Sequence, residues 1–122
     1  MCSIKRFEDM LAWKKARQLV KEIYLTCASG EFYRDFDLKD QIRRAAVSSM
    51  SNVAEGFGRK SHKDFAHFLD LARGSTLEVQ SLLYVASDLN YIQTSDFKRL
   101  YGLANETLAL IAGLTSYLRG RP

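Results

Sequence analysis

Apolar residues recur at spacings of three and four along most of the chain, which is the pattern of amphipathic helices. Four segments carry this pattern, over about residues 9–27, 37–57, 61–86 and 94–118, and short connections separate them. The connections are too short for anything but neighbouring helices that reverse direction. The pattern therefore predicts an all-α fold, an antiparallel up-down-up-down four-helix bundle.

Residues that favour helix ends lie where these segments begin and stop. Gly30 can take the left-handed conformation that ends the first helix. Asp37 is the expected N-cap of the second helix, and Ser61 opens a capping box for the third. Thr94 or Ser95 is expected to cap the fourth. These signals agree with the boundaries that the apolar spacing predicts.

The connection between the first and second helices is rich in aromatic residues, with Phe32, Tyr33 and Phe36 in one short run. Connections are usually polar, so the rings must cover other apolar groups. We expect them to close the open end of the bundle. A stacking platform for nucleic-acid bases is the alternative.

Small residues are concentrated between Gln41 and Gly58, in the second predicted helix. A helix without bulky side chains lets a neighbouring backbone come close. Counting outward from the turn after this helix places Ala45 opposite Gly74, and Ser48 opposite Leu71 or Ala72. We therefore expect the second and third helices to make the closest contact in the bundle. The residues assigned to it are Ala45, Ala46, Ser48, Ala72, Gly74 and Ser75.

Composition narrows the classes of function. A chain of 122 residues with 47% hydrophobic content predicts one domain, residues 1–122. No apolar run approaches the roughly 20 residues of a membrane span, and the N-terminus lacks an apolar signal core, so a cytoplasmic protein is expected. Cys2 and Cys27 do not form a metal-binding spacing, and His62 and His67 do not share a helix face. The sequence thus predicts no metal, no cofactor and no enzymatic activity.

The net charge is +4 and the pI is near 9.2, which is weak evidence for a polyanionic partner. Lys14, Arg17 and Lys21 recur at three-four spacing on one side of the first helix. This side is either a row of phosphate contacts or an ordinary solvated face. Asp40 is placed to pair with Arg43 or Arg44, and Glu55 with Arg59. The candidate nucleic-acid-binding residues are Lys14, Arg17, Lys21, Arg43, Arg44, Arg59, Lys60 and Lys63.

Three sequence blocks resemble the 23S rRNA intervening-sequence proteins, a family of four-helix bundles. Gln-Ile-Arg-Arg-Ala at 41–45 leads through a small-residue run to Asn-Val-Ala-Glu-Gly at 52–56. The blocks at 65–75 and 7–16 are similar to the family pattern as well. Where the family usually has Ile-Pro, this chain has Ser49-Met50, so the bend that a proline would impose is not expected from the residues present.

The resemblance implies a ring-like homopentamer, and one branch of the family assists the reverse transcriptase of diversity-generating retroelements. The residues themselves favour an oligomer because a bundle this small has apolar side chains beyond its core stripes. These are Met10, Leu11, Trp13, Leu103, Leu110 and Tyr117. The alternatives are therefore an oligomer that binds RNA or DNA and a structural scaffold that binds a protein partner such as a reverse transcriptase.

Overall fold

The computed structural model describes residues 4–120, and this part of the chain contains helices and no strand. A short 3-10 turn, Phe7–Asp9, precedes α1, Leu11–Thr26. The five-residue helix α2, Gly30–Arg34, leads into α3, Phe36–Phe57. Helices α4, His62–Asp88, and α5, Thr94–Arg119, complete the fold. The four long helices confirm the predicted all-α class, and α3 continues without interruption through Ser49 and Met50.

Two apolar clusters form the core, one towards each end of the long helices. One cluster joins the later part of α1 to α2 and to the start of α3, and includes Leu19, Phe32 and Leu38. The other joins the start of α1 to the end of α3, and includes Met10 and Val53. Both clusters also contain residues of α4 and α5. The three-four spacing of apolar residues thus places one stripe of each long helix in a shared interior.

Helices α3 and α4 make the most extensive contact in the fold. The hydroxyls of Ser48 and Ser75 lie 2.8 Å apart, and those of Ser49 and Thr76 lie 2.7 Å apart. Thr76 donates its hydrogen to the carbonyl of Ala72 at 2.8 Å, so Ser49 is the donor in its pair. Ser49 and Thr76 are fully buried. The small hydroxyl residues therefore allow close approach and satisfy each other inside the core.

Gly56 lies where α4 leaves no room for a side chain on α3. A Cβ placed on Gly56 would lie 2.9 Å from Phe65 Cδ1, 2.9 Å from Phe68 Cβ and 3.2 Å from the carbonyl oxygen of Phe65. Carbon atoms in contact normally keep about 3.5–4.0 Å between them. Only a residue without a side chain fits between these helices at this point.

The prediction that Gly74 lies in this contact is wrong. Gly74 is exposed, and a Cβ added there would meet nothing within 4 Å. Ser48 also meets Ser75 rather than Leu71 or Ala72, a shift of about one helical turn. The Cα–Cβ bonds of each helix tilt towards its own N-terminus, away from the connecting turn in α3 and towards it in α4. Contacting residues of α4 therefore lie farther from the turn than a residue count suggests. Of the other residues assigned to the contact, Ala45, Ala46 and Ala72 are buried.

The helix ends follow the predictions in part. Ser61 caps α4 by accepting a hydrogen bond from the amide of Asp64 at 3.1 Å, as expected. The cap of α3 is Asp35, not Asp37, because α3 begins at Phe36 and the amide of Leu38 donates to Asp35 Oδ1 at 3.1 Å. The N-cap of α5 is Gln93, which makes no side-chain cap, so the prediction of Thr94 or Ser95 is also wrong.

The aromatic connection divides its rings between the core and the surface. Phe32 is buried and stacks on Tyr91 with 5.5 Å between ring centroids, which confirms that this ring closes the end of the bundle. The Tyr91 hydroxyl donates to Asp35 Oδ2 at 2.9 Å, and this hydrogen bond raises the pKa of Tyr91 above its ordinary value. Tyr33 and Phe36 remain exposed.

Tyr91 is brought to this position by a left-handed turn at the end of α4. Asn90 has φ of 60°, and its amide donates to the carbonyl of Ser87 at 3.0 Å. The Tyr91 amide donates to the carbonyl of Ala86 at 2.9 Å. This pair of bonds is the Schellman motif, with asparagine in the position that glycine most often occupies.

The apolar side chains that were predicted to exceed the core differ in their surroundings, and Trp13 is partly buried against the core cluster that contains Met10. Met10 and Leu103 are buried within the chain, so they do not argue for a subunit contact. Leu11 is 65% exposed. Together with Leu110 and Tyr117 it lines an apolar groove of about 330 Å³ between α1 and α5.

Candidate nucleic-acid interface

The basic row on α1 is exposed and has no carboxylate partner. Lys14, Arg17 and Lys21 point to solvent, and no acidic group of residues 4–120 lies within 4 Å of their charged nitrogens. The ion pairs of α1 lie on its other side, where Lys15 pairs with Glu106 of α5 at 2.9 Å. Over the roughly 10 Å from Lys14 to Lys21, the row is available to an external anion.

Arg43 joins α3 to the end of this row. Its guanidinium carbon lies 4.5 Å from the centroid of the Tyr24 ring, and its Nε–H donates to Cys27 Sγ at 3.2 Å. Cys27 is buried and donates in turn to the carbonyl of Ile23. Arg43 is therefore held against α1, which explains why the predicted ion pair with Asp40 does not form.

Arg44 lies next to Arg43 but is exposed. It makes no ion pair with Asp40 or with any other described carboxylate within 4 Å. The expectation that Asp40 neutralises one of these arginines is wrong for both. The two arginines consequently keep their charge without a bonded counterion on the protein.

The three candidates around the α3–α4 turn differ in their surroundings. Arg59 pairs with Glu55 at 3.1 Å, as predicted, and its guanidinium carbon lies 4.4 Å from the centroid of the Phe68 ring. Lys60 and Lys63 are exposed, and neither pairs with a carboxylate in the described chain. Of the three candidates at the turn, Lys60 and Lys63 are therefore the ones that no carboxylate of residues 4–120 compensates.

The α3–α4 turn and Arg43 lie near opposite ends of α1. Phe57, directly before the turn, packs in the cluster that contains Met10 and Trp13 at the start of α1. Arg43 contacts the last turn of α1. The basic row runs between these two points. The structure thus joins the α1 row to Arg43 through Tyr24, and leaves the turn residues at the far end.

Sequence reasoning missed the cation that lies among the exposed rings of the aromatic connection. The ammonium of Lys39 lies 4.0 Å from the Tyr33 ring centroid and 4.4 Å from that of Phe36. Lys39 is only 6% exposed although it is charged. The spacing of three between Phe36 and Lys39 on one helix was the available signal, since such residues are neighbours on a helix surface.

Comparison with known proteins gives the chain a family. A profile described as the 23S rRNA-intervening sequence protein matches residues 8–113. The chain belongs to the 23S rRNA-intervening sequence protein family. The match runs from the turn before α1 into α5 and covers every candidate basic residue.

A solved structure is similar to this 23S rRNA-intervening sequence protein in fold. It is a Bacteroides thetaiotaomicron protein of unknown function from the S23 ribosomal protein family, determined at 1.70 Å. The identity is 19%, the TM-score is 0.79, and the match covers 86% of this chain and 98% of the other. At this identity the likeness concerns the fold alone. No curated protein was found to match the sequence.

Within residues 4–120 no three His, Cys, Asp or Glu side chains gather where they would hold a metal ion. No described helix of this family member has the length and apolarity to cross a membrane. The cations of α1 and α3 that no carboxylate of residues 4–120 pairs are the feature on which a functional proposal is built.

Proposed function

We propose that this 23S rRNA-intervening sequence protein is a non-enzymatic, oligomeric protein that binds structured RNA or DNA through exposed basic residues. The observation that carries the proposal is the row of Lys14, Arg17 and Lys21, which pairs with no carboxylate of residues 4–120 while Lys15 on the same helix is paired. Cations without partners on the protein can replace the counterions of a phosphate backbone. Arg43, Arg44, Lys60 and Lys63 extend the basic surface at the two ends of α1.

The proposed architecture is a single domain in which the four long helices form an antiparallel up-down-up-down bundle. The order of contacts along the helices supports it. Gln41, Ser48 and Gly56 of α3 lie against residues of α4 that come progressively earlier in the chain. Short connections between neighbouring helices favour the same arrangement.

The proposed assembly is a closed ring, and the number of subunits, five, comes from the family resemblance. The exposed side chain of Leu11 and the apolar groove between α1 and α5 support a subunit contact. Five copies at +4 each would carry about +20 on one compact body, and a field of that size attracts polyanions. Light scattering at micromolar concentration should therefore give a mass well above that of one chain, and a monomer mass would contradict the ring.

The binding proposal is tested by titrating fluorescently labelled single-stranded and duplex RNA at two salt concentrations. The variant that combines Lys14→Gln, Arg17→Gln and Lys21→Gln removes the row. For single strands, each lost phosphate contact lowers the slope of log affinity against log salt by about 0.7, so the slope should flatten by up to about 2.

A charge-matched variant separates the row from the net charge. The control variant combines Lys15→Gln, Arg99→Gln and Arg119→Gln, so it also removes three positive charges. In the parent protein these three side chains are paired with Glu106, Glu22 and Asp70. We expect this variant to keep most of the salt dependence of the parent. Affinity that does not change with salt, or equal losses in both variants, would rule out phosphate contacts by the row.

A structural scaffold is the second candidate function, with a protein partner such as a reverse transcriptase. The apolar groove between α1 and α5 is the observation that favours it, because apolar grooves on exposed surfaces often take a partner's side chains. Binding of this kind depends little on salt. The same two salt concentrations therefore distinguish the two candidates.

A further inference from the structure

The face that α1 shares with α3 carries flat ring surfaces as well as cations. Trp13, Arg17, Lys21 and Tyr24 follow one another at spacings of four, four and three, so they share one side of α1. The Arg17 guanidinium lies 5.6 Å from the Trp13 ring centroid, and Arg43 lies 4.5 Å from that of Tyr24. A cation is thus paired with a ring at both ends of the basic row.

The pair of Tyr24 and Arg43 has the features of a stacking surface. Tyr24 is 41% exposed although it is aromatic, and Arg43 is half-buried against it. The Nε–H bond from Arg43 to Cys27 fixes the guanidinium from behind. Planar guanidinium groups and aromatic rings are the two surfaces on which proteins stack unpaired bases. A duplex presents phosphates but keeps its bases stacked inside, so its bases would not stack on the Tyr24–Arg43 pair.

The charge on this face favours a polyanion over an apolar partner. Five basic side chains lie on or beside it: Lys14, Arg17, Lys21, Arg43 and Arg44. Asp40 precedes these two arginines by three and four residues on α3, and it pairs with neither of them. Stacking surfaces joined by a positive row are the combination that single-stranded nucleic acids require.

We propose that the face shared by α1 and α3 binds a single-stranded segment of nucleic acid, with a base stacked on the Tyr24–Arg43 pair and the backbone along the lysines. This inference rests on the proposed function and narrows it, because loops and ends of a structured RNA are where unpaired bases are displayed. The Tyr24–Arg43 pair is the part of the face that distinguishes bases from phosphates.

The test uses two substitutions that leave phosphate contacts in place. Tyr24→Leu removes the ring but keeps an apolar side chain at a partly exposed position. Arg43→Lys keeps the charge and removes the planar guanidinium. The probes are a short oligoadenylate, an abasic strand of the same length and a duplex. The parent should bind oligoadenylate more tightly than the abasic strand, and each variant should lose at least about fivefold of that preference, the lower end of one stacked base.

Tyr84 provides a matched control for the ring. It is 53% exposed and contacts Phe97 and Tyr101 edge-on, and no cation lies over its ring in the described chain. Tyr84→Leu should leave the preference for oligoadenylate unchanged. Thermal unfolding of each variant checks that a loss of binding does not come from a loss of fold.

Each result separates this inference from the proposed function. Loss of the preference in Tyr24→Leu and Arg43→Lys, with duplex binding retained, supports the stacking surface. Binding that depends on Lys14, Arg17 and Lys21 but is the same for abasic and intact strands would overturn the stacking inference and leave the proposed function standing. A parent protein that binds none of the probes at low salt would overturn both.

Discussion

Two glycines on neighbouring helices should respond in opposite directions to the same substitution. Gly56→Ala places a methyl group against Phe65 and Phe68 of α4, whereas Gly74→Ala places it in open space. Alanine is the better helix former by about 1 kcal/mol in a helix interior. We therefore expect Gly74→Ala to stabilise the protein by up to about 1 kcal/mol, and Gly56→Ala to destabilise it.

The magnitude at Gly56 follows from the atoms that the new methyl group meets. Distances of 2.9 Å to two phenylalanine carbons are about 0.6 Å or more shorter than ordinary contact. Phe65 is largely buried, and Phe68 Cβ is attached directly to the backbone, so neither atom can move away by a change of rotamer. The helices must separate instead. Overpacking of this kind costs about 1–3 kcal/mol, which equals or exceeds the gain of up to about 1 kcal/mol in helix propensity.

Urea unfolding followed by circular dichroism measures both variants against the parent. The free energies of unfolding of Gly56→Ala and Gly74→Ala should differ by about 1–3 kcal/mol, because both variants gain helix propensity and Gly56→Ala alone carries the steric cost. The two substitutions are chemically identical, so the change in the unfolded chain cancels in the comparison. Equal stability of the two variants would refute the assignment of the close helix contact to Gly56.

Two further predictions concern the hydrogen-bonded hydroxyl groups of Ser49 and Tyr91. Ser49→Ala should cost about 0.5–1.5 kcal/mol in urea unfolding, because Thr76 keeps its bond to the carbonyl of Ala72 and loses one donor; a neutral substitution would show that the pair contributes nothing. The raised pKa of Tyr91 means that its contribution to stability is fully present below pH 10.0, its ordinary value, and is lost as pH rises through the folded-state pKa. The free energy of unfolding of Tyr91→Phe should therefore fall less than that of the parent as the pH rises above 10.0. The same fall in both proteins would contradict the role of the hydrogen bond from Tyr91 to Asp35.

The long helices could be predicted from the sequence because their apolar residues repeat regularly over several turns. The contact between α3 and α4 was also predictable as a pair of helices, since small residues are dense on one side of each. Its register was not, because the direction of the Cα–Cβ bonds shifts the partners by about a turn. Gly74 and Gly56 look alike in the sequence, and only the position of Phe65 and Phe68 shows which one is needed.

The sequence predicted which basic residues are candidates for the interface, but it did not predict which residues of other helices they contact. The three-four spacing of Lys14, Arg17 and Lys21 placed them on one exposed side without knowledge of the fold. Arg43 was expected to pair with Asp40, its neighbour on the same helix, because such pairs are the ones that a sequence reveals. Its real partners are Tyr24 and Cys27, which belong to another helix, and tertiary contacts of this kind leave no periodic signal.

The left-handed turn at Asn90 has a consequence for where the chain tolerates change. The turn delivers Tyr91 to Phe32 and Asp35, so one residue joins the exit of α4 to α2 and to the cap of α3. An extra residue here would carry the ring away from both partners, although the connection lies at the surface. The turn at 58–61 is exposed throughout, and it contains no aromatic residue. We therefore expect the chain to tolerate a new terminus or an inserted tag better between α3 and α4 than after α4. The length of the connection after α4 is fixed because Tyr91 contacts both α2 and the cap of α3.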